Sequence, residues 1–126
     1  MFFRVLKEKK VLKNYNVLDL TPVRKNEHII TDAGLVTILI PRYKSGFMNR
    51  LLEKQGRDKN FKLDLDDLGS AVWLGIDSEK KIRDLCDILE EKFGENAHPV
   101  EQRLVKFISM LYQNELIRFK ETSGIS

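Results

Sequence analysis

Asp64, Asp66 and Asp67 are the tightest group of chemically capable side chains in the chain. Carboxylates this close together are raw material for a divalent-ion site or a general acid–base pair. Their spacing also has a plainer explanation. Phe61, Leu63 and Leu65 alternate with Lys62 and Asp64, which reads as a strand with Asp64 on its solvent side. Asp66 and Asp67 then stand where a helix begins, and carboxylates there satisfy unpaired N–H groups and favour the dipole. The plainer reading explains all three, so no catalytic or metal centre is expected here.

The other reactive groups are equally isolated. His28 lies in a β-branched run and His98 at a helix start, each without a partner at ligand spacing, whereas zinc takes four clustered ligands. Cys86, the one cysteine, falls between Leu85 and Leu89 on an apolar stripe and reads as a buried packing thiol with no activating base. It cannot form an internal disulfide, which fits a reducing, cytoplasmic setting. The seven glycines are scattered and form neither phosphate-binding pattern. No enzyme activity, metal or cofactor is expected.

The elements that position these residues follow from periodicity. His28–Thr31 and Leu35–Ile40 read as a β-hairpin turned by Asp32-Ala33-Gly34 and closed by Pro41. Phe61–Leu65 is a third strand. A first helix follows, with Leu68, Val72 and Ile76 on one face and an end at Gly75. Trp73 lies off that line and is expected as a core or interface filler rather than a recognition residue. A second helix carries Ile82, Leu85, Cys86, Leu89 and Phe93 and ends at Gly94. A third begins near His98-Pro99, with Pro99 at its first position, Glu101 completing the cap, and Val100, Leu104, Phe107, Ile108 and Leu111 in one stripe. Leu116–Phe119 alternates as a short closing strand or wing. Val11–Leu18 suits either a strand or a loose helix, and Phe47, Leu51 and Leu52 suit one short helix capped by Gly56. A strand feeding three helices is a winged-helix outline: α+β, a three-stranded antiparallel sheet, three helices and a short closing strand.

Charge divides the chain unevenly. Residues 1–25 hold seven Lys/Arg against two Asp/Glu, whereas residues 61–126 hold nine against thirteen. DNA binding draws most of its free energy from basic groups that displace counterions, so an acidic winged-helix half opposes it. The longest apolar run, Leu35–Ile40, falls far short of the roughly 20 residues that span a bilayer. No membrane partner is expected. The basic residues 1–21 read as an arm, either solvated or contacting an acidic partner, and Phe2, Phe3, Val5 and Leu6 would let it pack on a second copy of the chain.

Three features in order resemble the PqqD family, the pyrroloquinoline-quinone synthesis protein D group. They are Pro22-Val23-Arg24 before the first strand, the block Leu65–Asp77 (LDDLGSAVWLGID), and the helix Ile82–Phe93 with Gly94, followed by a helix ending in Asn114-Glu115-Leu116-Ile117. The resemblance covers residues 22–119, leaving a tail at 120–126. Two departures stand out: nearly twenty residues, 41–60, intervene where the family has a short turn, and the arm is longer than a minimal member needs.

The resemblance implies a peptide recognition element without catalysis. Such a domain accepts the leader of a precursor peptide as an added strand and presents it to a peptide-modifying enzyme, often of the radical S-adenosylmethionine type. It implies binding at the third-strand edge, Lys62, Leu63, Asp64, Leu65 and Asp66, flanked by Arg103, Lys106 and Met110 from the third helix. The competing expectations are a winged-helix DNA-binding protein and a structural module that forms a homodimer through the arm.

Overall fold

The computed structural model describes residues 16–41 and 60–122. The arm before Asn16, the insert bearing Phe47, Leu51, Leu52 and Gly56, and the last four residues lie outside them. Along the chain the elements are β1 (Pro22–Arg24), β2 (His28–Ile30), β3 (Val36–Pro41), β4 (Asn60–Asp64), α1 (Asp67–Gly75), α2 (Ile82–Phe93), α3 (Val100–Gln113) and β5 (Ile117–Phe119). This is the expected α+β order of a three-stranded antiparallel sheet, three helices and a closing strand. Two compact units divide it: Asn26–Ser70, and Met1–Lys25 with Ala71–Ser126.

In the first of these units β2, β3 and β4 form one antiparallel sheet in that order. β3 is central because its Val36-Thr37-Ile38 run packs on both faces, and all three residues are buried. Gly34, at φ +80°, makes the hairpin turn that a Cβ would strain. Ile38 stands opposite both His28 and Leu63, and Thr37 opposite both Ile29 and Asp64. The register therefore sets Ile38, Ile40, Phe61 and Leu63 on one face and Thr37, Leu39, Lys62 and Asp64 on the other.

In the other unit α2 packs against α3 and against the 3-10 turns Val17–Asp19 and Gly94–Ala97. Their buried stripes are Ile82, Leu85 and Leu89 on α2, and Val100, Leu104, Ile108 and Leu111 on α3. Trp73 is fully buried, as expected of a core filler. Burying an indole of this size is worth about 5 kcal/mol by area, and the Arg24 guanidinium lies over its ring at 5.9 Å. Gly94 closes α2 at φ +58°, ψ −133°, a region that L side chains rarely adopt.

Several expectations need correction. Pro22-Val23-Arg24 is not a lead-in to the first strand but a strand itself. It pairs with β5 as a separate two-stranded sheet, Pro22 opposite Phe119 and Arg24 opposite Ile117. That ladder is fastened at both ends, by Lys25 N–H to Leu116 C=O and Lys120 N–H to Thr21 C=O. Thr21 adds a clasp, its N–H and hydroxyl donating to the two carboxylate oxygens of Glu121 at 2.7 and 2.8 Å. Burial pushes the Glu121 carboxyl up, but these bonds outweigh it and hold the group below its ordinary range.

Pro99 sits at the N-cap of α3, not its first turn. This leaves Glu101 one position short of the residue that closes a capping box, and no side chain caps the helix. Cys86 and Phe93 are half-buried at the margin of their stripe rather than in the core.

Candidate functional site

β4 borders its sheet: among the described residues it pairs with β3 alone. Which of its backbone groups face outward follows from one bond. Leu65 N–H donates to Val36 C=O at 2.9 Å, so Leu65 and every second residue before it turn their backbone groups toward β3. Leu39 N–H donating to Glu27 C=O on the opposite side of β3 agrees with this alternation. Leu63 and Phe61 are therefore engaged in the ladder. Lys62 and Asp64 aim their N–H and C=O groups away from it.

Two hydroxyls shape the margin. Thr37, 3% exposed, donates from Oγ1 to Asp64 Oδ1 at 2.7 Å and holds that carboxylate over the outer face of the sheet. Val36 N–H, which has run out of β4, donates to the buried Ser70 Oγ at 2.8 Å, and Ser70 Oγ lies 3.4 Å from Leu65 C=O as donor. Ser70 thus ends the ladder without orphaning a buried donor, a defect that costs about 1–3 kcal/mol. Neither residue stands out in the sequence. Thr37 reads as one more β-branched strand residue, and its pairing with Asp64 depends on a register visible only in the fold.

The three aspartates keep the separate structural roles expected of them. Asp64 is exposed on the strand, Asp66 Oδ1 accepts from Gly69 N–H at 2.8 Å, and Asp67 Oδ1 accepts from Leu68 N–H at 3.0 Å. Asp66 also gives its C=O to Ser70 N–H, so it belongs to the start of α1 rather than to the strand margin. Leu65 is buried, while Leu63 and Phe61 are half-buried and leave apolar surface along one side of β4. Lys62 is exposed and in no ion pair with any described residue.

Arg103, Lys106 and Met110 lie on α3, in the unit that does not contain β4. Arg103 donates to Asn96 C=O at 2.7 Å, Lys106 is exposed and Met110 is half-buried.

Nothing among the described residues assembles a reactive centre. No group of three or more His, Cys, Asp and Glu is arranged to hold a metal ion. Burial and the fields of Glu101, Asp87 and Glu90 push the Cys86 thiol up, away from the reactive thiolate. His98 Nε2 lies 2.8 Å from Glu90 Oε1 in an open hollow lined also by Pro99, Val100, Glu101 and Gln102, and both partners are about half exposed. No described helix is long and apolar enough to cross a membrane.

Residues 58–117 match the family model described as coenzyme PQQ synthesis protein D (PqqD). This stretch is similar to the PqqD family. It takes in β4, all three helices and the start of β5, and it begins within the last residues of the insert, so the PqqD match includes the β4 margin but not β1, β2 or β3. No curated protein and no solved structure matches the chain.

Proposed function

We propose that the chain is a non-catalytic peptide-binding module. It takes the leader segment of a precursor peptide as an added strand on β4 and presents it to a peptide-modifying enzyme of the radical S-adenosylmethionine type. The observation that carries this reading is the outer margin of β4, where Lys62 and Asp64 direct backbone groups away from β3 that no other described residue pairs. An edge of this kind completes its hydrogen bonding with an incoming extended chain. The PqqD-family match over the same strand supports it.

Magnitudes say what else the guest must supply. Four backbone hydrogen bonds at ~1 kcal/mol each give about 4 kcal/mol, half of the ~8 that micromolar affinity requires before any ordering cost. Apolar anchors of ~1.5–3 kcal/mol each must make up the rest, and the half-buried Phe61 and Leu63 offer surface for them. The result is a complex that forms and releases readily, which suits delivery of a substrate.

Charge supports this reading over DNA binding. The exposed residues of α2 include Asp84, Asp87, Glu90 and Glu91 against Arg83 and Lys92, and Arg83 is already paired with Asp19 at 2.7 Å.

The test is a calorimetric titration with the precursor encoded beside the gene, followed by turnover of the neighbouring modifying enzyme with and without the protein. Low-micromolar binding to the leader half alone, with faster modification, is expected. Binding to duplex DNA with a steep salt slope and none to the leader would overturn the reading. Arg103, Lys106 and Met110 enter as separate alanine variants.

A further inference from the structure

We infer that Lys62 and Asp64 select the guest by charge, so that the preferred leader carries a basic residue, an apolar residue and an acidic residue in that order. The inference rests on strand addition at β4. Both side chains stand on one face of the sheet, two positions apart, on the residues whose backbone groups point outward. Each therefore lies directly opposite a guest residue on the same face, at the separation where opposite charges attract and like charges repel.

The two charges differ in how they are held. Thr37 Oγ1 fixes the Asp64 carboxylate through Oδ1, leaving Oδ2 for a guest cation with little rotamer freedom to lose. Lys62 is exposed, with no ion pair to a described residue, and reaches a guest carboxylate without giving up another partner.

Direction fixes the order. Every strand pair described in this protein is antiparallel, and antiparallel ladders are the more stable per residue. A guest antiparallel to β4 meets Asp64 first and Lys62 two residues later. Its basic residue therefore precedes its acidic one. The residue between them turns to the other face, opposite Leu63, as do the residues before and after, opposite Leu65 and Phe61. The half-buried Leu63 and Phe61 ask for aliphatic side chains there.

The probes are four blocked nonapeptides with Ser-Thr-Val before the centre and Val-Thr-Ser after it. Their centres are Lys-Val-Glu, Glu-Val-Lys, Gln-Val-Gln and Lys-Val-Lys. Each is titrated into the isotope-labelled full chain at low salt, reading the Lys62 and Asp64 amide signals, and again into Lys62→Glu/Asp64→Lys. Lys62→Glu alone keeps the Thr37–Asp64 bond, guards against misfolding of the double variant, and should favour a Lys-Val-Lys peptide. Wild type should bind Lys-Val-Glu about ten-fold more tightly than Glu-Val-Lys, and the double variant should reverse this. The preference should shrink in 0.5 M salt, where the screening length falls to roughly 4 Å.

Equal affinities in wild type and variants, with the β4 amides still shifting, overturn charge selection and leave strand addition standing. A wild-type preference for Glu-Val-Lys overturns the antiparallel order. If no peptide moves the Lys62 or Asp64 amide, strand addition at β4 itself falls.

Discussion

β4 and β2 border the same sheet and hang from the same central strand, yet they present different margins. β4 is five residues long, carries Lys62 and Asp64 on its outer positions, and keeps its apolar residues half-buried along one side. β2 is three residues long and exposes Ile29 and Ile30 at 46% and 58%. By the same alternation, Thr31 N–H donating to Leu35 C=O and Leu39 N–H donating to Glu27 C=O turn the backbone of Ile30 away from β3. Both margins therefore offer hydrogen-bonding groups, and an open edge by itself does not make a recognition site. Length, charged side chains at the outward positions and a carboxylate fixed by Thr37 distinguish β4 from β2, and on the proposed reading they let β4 choose its guest. β2 offers adhesion without register.

The widest disturbance comes from the strand they share. Ile38→Ala empties a fully buried position between His28 and Leu63 and should cost about 2–5 kcal/mol in denaturant unfolding. It should loosen both margins together; loss of only one in amide exchange would show that they do not depend on a common strand.

The margins separate under proline. Lys62→Pro removes an N–H that faces away from β3, so stability should change by less than ~1 kcal/mol while leader binding falls ten-fold or more. Ile30→Pro on β2 should leave the leader affinity unchanged, and if it is Ile30→Pro that abolishes binding, the assignment of the two margins is reversed. Ser70→Ala leaves the buried Val36 N–H without its partner and should cost about 1–3 kcal/mol of stability, with the loss centred where β4 meets α1. The smallest effect is expected from Thr37→Val, about 1 kcal/mol or less. It should show instead as a weakened preference for a basic residue opposite Asp64.

How much of this was legible in the chain depended on whether local pattern or distant pairing decided it. The stripes of α2 and α3 announced both helices to within a residue, because periodicity is a local property. The helix-starting roles of Asp66 and Asp67 followed equally from near neighbours, whereas Trp73, off the apolar line of its helix, was open to a core or an interface place. β1 did not, since three residues beginning with proline carry no strand signal until Phe119, Arg118 and Ile117 lie beside them. Cys86 lies shallower than its stripe suggests, because a position 100° around the helix from Leu85 falls at the edge of the stripe. The strand itself was visible as an alternating run, and its open edge was implied only by the PqqD resemblance. Which of its residues face outward was not, because that parity is set by Leu65 meeting Val36 across the insert.

Amide hydrogen exchange on the isotope-labelled protein, with and without saturating leader peptide, tests the central claim most directly. Bound leader should protect the N–H groups of Lys62 and Asp64 while leaving Leu63, already engaged with β3, and Ile30 as they were. Unchanged exchange at Lys62 and Asp64 in the saturated complex, or protection that appears at Ile30 instead, would contradict it.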